Sequence, residues 1–433
     1  MLIYILTGIA LWVTEFLQIA IETWRAVFAM IRRKKNSPQI YAFRPYQINR
    51  LHYVDCVPPK PRSGHRIVCN DRDIYCFGGF NPDIPSNTGR YRDVSLFQEL
   101  WRFDTLSRQW ELIFGPGEHL PDELASHAML LLGNSILIFG GTCYPFGQRC
   151  SNKLHIFNVV SKKLKTVETS GTQPAEMYGQ AMVVHEEFLY VIGGTTGYDY
   201  SCDVHRLNLM TYEWELVYHC DEYNEDDPPG RYRHELAYDG EQIYVLGGGT
   251  SQVAFTLSEI PAFNLKTNTW KMVQTKPDST FSPPGNKVAF PEARKCHACV
   301  QFETLQGSSV VIIGGYDTCY YNDIWKLNLR TLEWRCLGKM PSFRPLFFHD
   351  ATVTRAGCVY IYGGITCNVN TNITKRTTNM YKIWMTIPKL SEMCIEALNF
   401  YAPRLKESSV EDLMKLGVPP PFVDRLTIKS TSP

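Results

Sequence analysis

Four arginines offer the clearest opportunity for chemistry in this sequence. Arg62, Arg231 and Arg294 each stand three residues before a histidine that recurs along the chain, and Arg233 stands directly before one. Guanidinium groups fixed at the base of a concave pocket recognise a free carboxylate through charge-assisted hydrogen bonds. We therefore predict a positive, substrate-binding pocket at these arginines, with walls formed by four polar or aromatic residues: Tyr178, Tyr198, Tyr232 and Ser251. The alternative is that the arginines pair with acids inside the fold, and that the histidines satisfy buried backbone groups.

The other chemistry-bearing patterns do not indicate an enzyme. Cys296 and Cys299 flank His297, but a strand directs residues three apart to opposite faces, and the sequence places no second ligand pair nearby. The sequence contains no Gly-x-Ser-x-Gly, P-loop or His-Glu-x-x-His motif. We expect no catalytic residues, no metal and no cofactor, and a role in binding another protein.

The composition excludes several classes of protein. Among 433 residues, 44 Lys and Arg nearly balance 43 Asp and Glu, and the net charge of +1 removes the usual electrostatic case for nucleic-acid binding. A hydrophobic content of 44% is ample for a folded core. The 14 cysteines form no regular disulfide ladder, so we predict a reducing compartment, the cytoplasm or the nucleus.

The first 35 residues form an apolar segment that ends in the basic run Arg32-Arg33-Lys34-Lys35. A membrane-spanning helix needs about 20 apolar residues, and charged side chains at Glu15, Glu22 and Arg25 interrupt this stretch. We predict an apolar helix over residues 1–31. A membrane anchor that leaves the chain facing the cytosol is one interpretation; an interfacial helix or a dispensable extension are the others.

Six glycine doublets divide the central chain into units of 49 to 67 residues, and each doublet ends a short run of β-type residues. The doublets begin at Gly78, Gly140, Gly193, Gly247, Gly314 and Gly363. A marker residue precedes each doublet by 13 to 17 positions: His65, His127, Gln180, His234, His297 and His349. A third marker is an Asp or Asn that fixes a turn, often followed by a tryptophan, as at Asp104 and Trp110. We expect this tryptophan to pack against the next unit.

Units near 50 residues with a Gly-Gly signature and short strands resemble the kelch repeat. The resemblance covers residues 48–386 and implies an all-β, six-bladed kelch β-propeller. The last unit stops one strand short after Trp384, and the segment Ile48–Val54 is predicted to supply the missing strand. Strands from both ends of the domain would then share one blade and close the ring.

A short α-helical tail is predicted for residues 387–428. Leu390, Cys394 and Leu398 recur at every fourth position with Ala397 beside them, so they line one face of a helix. Ser408 and Glu411 have the spacing of a capping box that begins a further helix. One interpretation is that these helices dock on the rim of the propeller, because they are too short to hold a core of their own.

The tail also resembles a partner-binding box. Leu390, Cys394, Ala397 and Leu398 are similar to the elongin C-binding box of cullin-RING ubiquitin ligase receptors, and Pro403 with Leu405 looks like the segment that selects cullin-2. Lys406 departs from that second pattern.

The whole order of features resembles the kelch-repeat substrate receptors of cullin-2 RING ubiquitin ligases. The most diagnostic stretches are 62–65, 178–182, 193–198, 231–235, 247–251 and 323–329. The resemblance implies that the propeller binds substrate proteins by their C-termini, often ending in glycine, while the tail binds elongin C and thereby elongin B and cullin-2. The alternative is a kelch scaffold in signalling or cytoskeletal attachment without ligase function.

Overall fold

Six sheets, each built on four antiparallel strands, surround a central channel, and this arrangement confirms the predicted six-bladed propeller. The computed structural model describes residues 43–84, 96–116, 120–221, 223–281, 289–304, 307–339, 344–368, 370–402, 405 and 408–426. The apolar helix predicted over residues 1–31 lies outside the described residues. Within those ranges, no helix has both the length and the apolar character needed to cross a membrane.

Each blade contributes one inner strand beside the channel and three strands that step outwards. Blades 1 to 3 contain β2 Arg66–Cys69, β3 Asp73–Phe77, β4 Leu100–Asp104, β5 Gln109–Phe114, β6 Ala128–Leu132, β7 Ser135–Phe139, β8 Leu154–Asn158, β9 Lys163–Val167, β11 Ala181–His185, β12 Phe188–Thr195, β13 Tyr200–Asn208 and β14 Glu213–Tyr218. Blades 4 to 6 contain β15 Glu235–Tyr238, β16 Gln242–Leu246, β17 Glu259–Asn264, β18 Thr269–Gln274, β19 Ala298–Thr304, β20 Gly307–Ile313, β21 Asp323–Asn328, β22 Glu333–Lys339, β24 Asp350–Val353, β25 Cys358–Tyr362, β28 Met380–Trp384 and β1 Asn49–Leu51. Four short strands are additional: β10 Ser170–Gly171 at the edge of blade 3, and β23 Leu346–Phe347, β26 Ile365–Asn368 and β27 Ile373–Arg376 in a small sheet of their own.

The ring closes through strand exchange between the two ends of the domain. The N-terminal β1 pairs antiparallel with β28, so that Leu51 lies opposite Met380 and blade 6 obtains its outer strand from residues that precede blade 1. The strand predicted from Ile48–Val54 is therefore found at Asn49–Leu51. This pairing covers the edge of β28 that would otherwise be an unpaired sheet edge.

A closed belt of backbone hydrogen bonds joins the blades at the mouth of the channel. The belt consists of the six residues that directly precede the recurring markers: Gly64, Ser126, Gly179, Arg233, Cys296 and Phe348. The amide of each donates to the carbonyl of the belt residue in the neighbouring blade, over 2.7 to 3.2 Å, and the last bond returns from Gly64 to Phe348. All six have left-handed backbone conformations with φ between 52° and 70°. Four of them carry side chains, so the belt holds strained residues in place all around the axis.

The glycine doublets form a second set of contacts between blades. The amide of the second glycine in each doublet donates to a carbonyl three positions before the next blade's marker, over 2.8 to 3.0 Å. These acceptors are Arg62, Leu124, Met177, Arg231, Arg294 and Leu346. At Gly78 an added Cβ would meet the Leu124 carbonyl oxygen, so a side chain at this position would separate the two blades.

The markers themselves join neighbouring blades. His65 Nε2 lies 3.1 Å from the Tyr362 carbonyl, and Gln180 Nε2 donates to the Phe139 carbonyl at 3.0 Å. With the bond between His234 Nε2 and the Ile192 carbonyl at 3.1 Å, these contacts support, at three of the six markers, the alternative in which the markers satisfy buried backbone groups. Burial lowers the pKa of the marker histidines, to about 3 for His234 and His349. The marker histidines are therefore neutral in the folded state at neutral pH.

Replacement of His65 by glutamine should weaken the acid sensitivity of the fold. Because burial lowers the pKa of His65 well below 6.5, the unfolded chain takes up a proton that the folded chain does not, and stability is lost as pH falls below 6.5. A glutamine at position 65 can donate a hydrogen bond to a backbone carbonyl, as Gln180 does, but its side chain does not titrate. Between pH 7 and pH 5 the variant should lose about 2 kcal/mol less of its free energy of unfolding than the wild type. Urea unfolding across pH measures this; the surface variant His52→Gln is the control, and equal pH profiles for His65→Gln and wild type would contradict the account.

The turn marker behaves as predicted, whereas the tryptophan does not. The carboxylate of Asp104 accepts hydrogen bonds from the amides two and three residues further on, and Asn208 accepts the same pair in blade 3. Trp334 of blade 5 donates its indole N–H to the Leu257 carbonyl in blade 4 at 3.1 Å. The expectation that the tryptophan packs against the next unit is thus wrong, because the outer strand leans over the preceding blade.

Three short helices follow the propeller: α1 Leu390–Tyr401, α2 Val410–Lys415 and α3 Pro420–Leu426. They share a small core built from Ile395, Leu398, Leu405, Leu413, Val418, Phe422, Val423 and Leu426. Leu106 of blade 1 packs against this core, and Asn399 donates to the Leu106 carbonyl at 3.0 Å. On the same side of α1, Glu396 accepts from Lys382 and from the Trp384 indole. The polar side of α1 therefore attaches the tail to blades 6 and 1.

Candidate functional site

Three of the four predicted pocket arginines lie inside the blades. Arg62 and Arg294 are fully buried, and each pairs with a carboxylate of its own blade, at 2.6 Å to Glu99 and to Asp323. Their guanidinium groups also donate to the first glycine carbonyl of the doublet, as does that of Arg231. This placement corrects the prediction for Arg62, Arg231 and Arg294, because donors occupied in this way fix the blade and are not presented to a substrate.

Arg233 occupies a different position, at the mouth of the central channel. It is the belt residue of blade 4, and its side chain reaches across the axis to donate to Ser126 of blade 2. Its guanidinium lies over the Phe348 ring of blade 6, 4.8 Å from the ring centroid. Within the described part of the chain, no carboxylate lies within ion-pair distance of Arg233, and its Nε has no hydrogen-bond partner. Burial lowers the pKa of Arg233, yet a guanidinium keeps its charge at neutral pH.

Below Arg233, a cluster of three charged residues from different blades meets across the channel. Arg66 of blade 1 donates to Glu235 of blade 4 at 2.8 Å and to Asp350 of blade 6 at 3.1 Å. Asp350 also accepts the Ile67 amide at 2.6 Å. Burial raises the pKa of both carboxyls, whereas the charge of Arg66 opposes that shift. The cluster therefore links blades 1, 4 and 6 across the channel.

Two of the predicted wall residues meet beside the mouth. The rings of Tyr178 and Tyr232 contact each other edge to face, with centroids 6.2 Å apart. Tyr200, which sequence analysis did not select, packs on Tyr232 at 5.4 Å and accepts the amide of Ser251 at 2.9 Å. Tyr198 lies at the turn between β12 and β13 and is 82% exposed. The four predicted wall residues thus belong to one side of the mouth, in blades 3 and 4.

Sequence analysis missed two cations and most of the aromatic residues around the mouth. Lys295 donates to the Thr250 carbonyl at 2.6 Å and lies over the ring of Tyr316. Arg376, in β27, donates to Ser63 at 2.9 Å and faces the ring of Phe80. Ser63, Tyr178, Tyr232 and Lys295 share one repeat position, two residues before the marker. This position was the available signal, because its residues lie on the mouth whereas those three before the marker point into the blade.

Most residues of the predicted elongin C box are buried in the structure. Leu390 at the start of α1 is 37% exposed, whereas Cys394, Ala397 and Leu398 are buried. Leu398 belongs to the core of the tail, as does Leu405, which was predicted to contact cullin-2. Pro403, the other predicted cullin-2 contact, lies outside the described residues. Of the predicted box, Leu390 is therefore the side chain that is accessible to a partner.

The fold and the mouth of its channel define a kelch-repeat β-propeller, a class of protein-binding domain. Residues 33–248 match the family model of the KLHDC2/KLHL20/DRC7 kelch-repeats domain, and residues 189–390 match that of the Attractin/LZTR1 beta-propeller.

Comparison with known proteins identifies the family within this class to which the chain belongs. The chain is 44% identical to kelch domain-containing protein 10 of Xenopus laevis over 372 residues, which cover 85% of this chain and 86% of the frog protein. It is also 44% identical to the human protein of that name, covering 80% of it. A Drosophila melanogaster homologue is 41% identical over 403 residues, which cover 89% of this chain and 66% of the fly protein. The chain therefore belongs to the kelch domain-containing protein 10 family.

Proposed function

We propose that this chain is the substrate-recognition subunit of a cullin-2–elongin B/C RING ubiquitin ligase. The observation that carries the proposal is the apolar surface of the tail. Large apolar side chains that are 37% to 77% exposed are concentrated there: Ile387, Leu390, Phe400, Val410, Met414 and Leu416. These side chains offer a partner apolar area to cover, and in this proposal the part beside Leu390 is the area that elongin C covers. The tail is joined to the propeller at blades 6 and 1, so a partner bound there would be held at a fixed place relative to the mouth.

Leu390 is the anchor that elongin C would bind in this proposal. It stands on the side of α1 that is opposite Glu392 and Asn399, since residues two and nine positions further on point away from it on a helix. Asn399 bonds the propeller, and Glu392 pairs with Arg425 of α3 at 2.6 Å. Cys394 and Leu398 are buried on the same side of α1 as Leu390, and their packing sets the position of the helix that presents Leu390.

The mouth of the propeller is proposed to bind the C-terminus of a substrate protein, of the type that ends in glycine. Arg233 supplies a fixed cation without a carboxylate partner among the described residues, and a terminal carboxylate is the matching anion. Tyr178 and Tyr232 stand beside it as apolar walls with polar tips. A terminal glycine has no side chain, so it would allow the chain end to approach the crowded axis closely.

A kelch scaffold without ligase function is the second candidate. The observation that favours it is the burial of Cys394, Ala397 and Leu398, because a tail that uses its box residues for its own core needs no partner to cover them. In that case the exposed apolar side chains of the tail would bind a signalling or cytoskeletal protein other than elongin C.

Affinity purification of the intact chain and of residues 1–386, followed by mass spectrometry, distinguishes the two candidates. The ligase proposal predicts elongin B, elongin C and cullin-2 with the intact chain and none of them with the truncated chain. Absence of elongins from both purifications would favour the scaffold. Thermal melting of both proteins controls for loss of the propeller itself.

A further inference from the structure

Arg231 lacks the acid that its equivalents possess. Arg62, Arg231 and Arg294 make the same backbone contacts, and each lies over an aromatic ring at 4.1 to 4.3 Å. Two residues after that ring, blade 1 has Glu99 and blade 5 has Asp323, which pair with their arginines. The equivalent residues, ring then partner, are Phe97 and Glu99, Phe255 and Leu257, and Tyr321 and Asp323. In blade 4 the position of the acid is thus held by a leucine, and no ion pair forms with Arg231 among the described residues.

A cysteine of the neighbouring blade takes the place of the missing acid. The Arg231 amide donates to the Ser201 carbonyl at 3.0 Å, which brings the arginine beside Cys202 on β13. Cys202 is 1% exposed, and the charge of the nearby Arg231 guanidinium acts to lower the pKa of its thiol. A cation beside a buried thiol favours the thiolate form.

A second cysteine lies directly opposite the first. Val204 of β13 pairs with Tyr218 of β14, and continuing this antiparallel register by two residues places Cys202 opposite Cys220. The Cys220 sulfur lies 3.1 Å from the Cys202 carbonyl oxygen. Directly opposed residues in such a pair have Cα atoms about 4.5–5.5 Å apart, which falls within the range that a disulfide bridges. Both thiols are free in this structure, and Cys220 is half-buried.

We propose that Cys202 and Cys220 form a reversible disulfide when the protein meets hydrogen peroxide, with Arg231 as the positioning residue for the reactive sulfur. The thiol of Cys220 and the charge of Arg231 together lower the pKa of Cys202 despite its burial. The neighbouring Cys202 sulfur and burial raise the pKa of Cys220. Cys202 is therefore the thiol that loses its proton more readily, and half-buried Cys220 supplies the route for a small oxidant from solvent. This inference does not depend on the proposed ligase function.

The chemistry balances with peroxide as the oxidant. The Cys202 thiolate attacks one peroxide oxygen, the O–O bond breaks, and the departing hydroxide takes the proton of Cys220 to form water. The Cys220 thiolate then attacks the sulfenic acid sulfur of Cys202, and the S–S bond forms as hydroxide leaves and is protonated by solvent. Two thiols are oxidised and one peroxide is reduced to two waters; a small thiol such as dithiothreitol reverses the step by exchange.

The test is peroxide treatment of the full chain, alkylation of free thiols and non-reducing tryptic mass spectrometry. Trypsin cuts between the two cysteines, so the disulfide would join the peptides Thr166–Arg206 and Leu207–Arg231, each of which contains one cysteine. We expect this linked pair at peroxide doses that leave exposed Cys319 alkylatable, and its loss after dithiothreitol. Oxidation of Cys319 while Cys202 and Cys220 remain alkylatable would overturn the proposal.

Two variants test the roles within the pair. Leu257→Glu gives Arg231 the acid that blade 1 possesses, and it should slow formation of the disulfide by about tenfold, since one pKa unit changes the thiolate fraction tenfold. An unchanged rate of disulfide formation in this variant would refute the role of Arg231 as the positioning residue for Cys202. Cys220→Ser, which keeps the size and shape of the side chain, should accumulate a sulfenic acid on Cys202 that dimedone traps. Absence of that adduct, while the wild type forms the disulfide, would show that Cys202 is not the sulfur attacked first.

Discussion

An Arg233→Met variant should bind a peptide ending in a free glycine carboxylate about 1.5–3 kcal/mol more weakly than the wild type, which is the value of a charge-assisted hydrogen bond. Arg233 is 7% exposed and bonds Ser126 from above the channel, so it is held in place before a ligand arrives. Methionine keeps much of the side-chain volume and its contact with Phe348 but removes the charge. Isothermal titration with synthetic peptides measures the difference.

The amidated form of the same peptide completes this experiment as a double-mutant cycle. In the wild type, amidation should cost the same 1.5–3 kcal/mol or so, because it removes the negative charge that Arg233 recognises. In the Arg233→Met variant, amidation should cost almost nothing. Arg206→Met, which breaks an ion pair with Glu215 on the outer part of blade 3, is the matched control and should bind like wild type. Additive losses from the mutation and the amidation would contradict contact between Arg233 and the carboxylate.

Combined substitution of Leu390 and Cys394 by serine should abolish co-purification of elongin C from cells. Leu390 would lose its apolar contact with the partner, and Cys394 would lose the packing that holds α1 in position. Burial of a leucine side chain in an interface contributes about 1.5–3 kcal/mol, so Leu390 alone would weaken the complex by at least tenfold. Quantitative mass spectrometry of the purified complexes gives the ratio.

Phe400→Ser provides the matched control for that variant. Phe400 is an exposed apolar residue on the same helix, but ten positions further on it points to another side of α1. The Phe400→Ser variant should therefore retain elongin C. Retention of elongin C by the Leu390 and Cys394 double variant would refute the box, and equal loss in both variants would show that α1 binds through a general apolar surface.

The architecture was predictable because the same glycine doublet and marker recur in all six units of the sequence. Each doublet forms the same bond between neighbouring blades, so six copies of one constraint appear in the sequence at nearly constant spacing. Ring closure was predictable for a related reason: a last unit that lacks one strand leaves an open edge, and Asn49–Leu51 is the segment that covers it.

The functional residues were less predictable, because neighbouring positions of one repeat point in different directions. Arg62 and Arg233 both looked like pocket cations in the sequence, yet one is paired with Glu99 inside a blade and the other crosses the channel mouth. What separates them is a shift of two positions relative to the marker and the left-handed backbone of the belt. The fully buried Leu257 is a further example, because it stands where blades 1 and 5 have the acid that pairs with their arginine. Arg231 is 26 positions earlier in the chain and becomes a neighbour of Leu257 only in the folded blade.

The tail shows a similar limit. Its periodicity predicted a helix with Leu390, Cys394 and Leu398 on one side, and α1 begins at Leu390. Periodicity identifies an apolar face but not what covers it. Leu398 packs in the core of the tail with Leu405, whereas Leu390 is left partly exposed.

The most direct test of the account is size-exclusion chromatography of the purified full chain with elongin B/C and a fluorescent peptide ending in glycine. The proposed receptor should give one peak that contains the chain, both elongins and the peptide, because the mouth and the tail lie on separate parts of the molecule and can bind at the same time. The amidated peptide should leave the peak, whereas the elongins should remain. Elution of the elongins apart from the chain would contradict the receptor function, whether or not the peptide elutes with the chain.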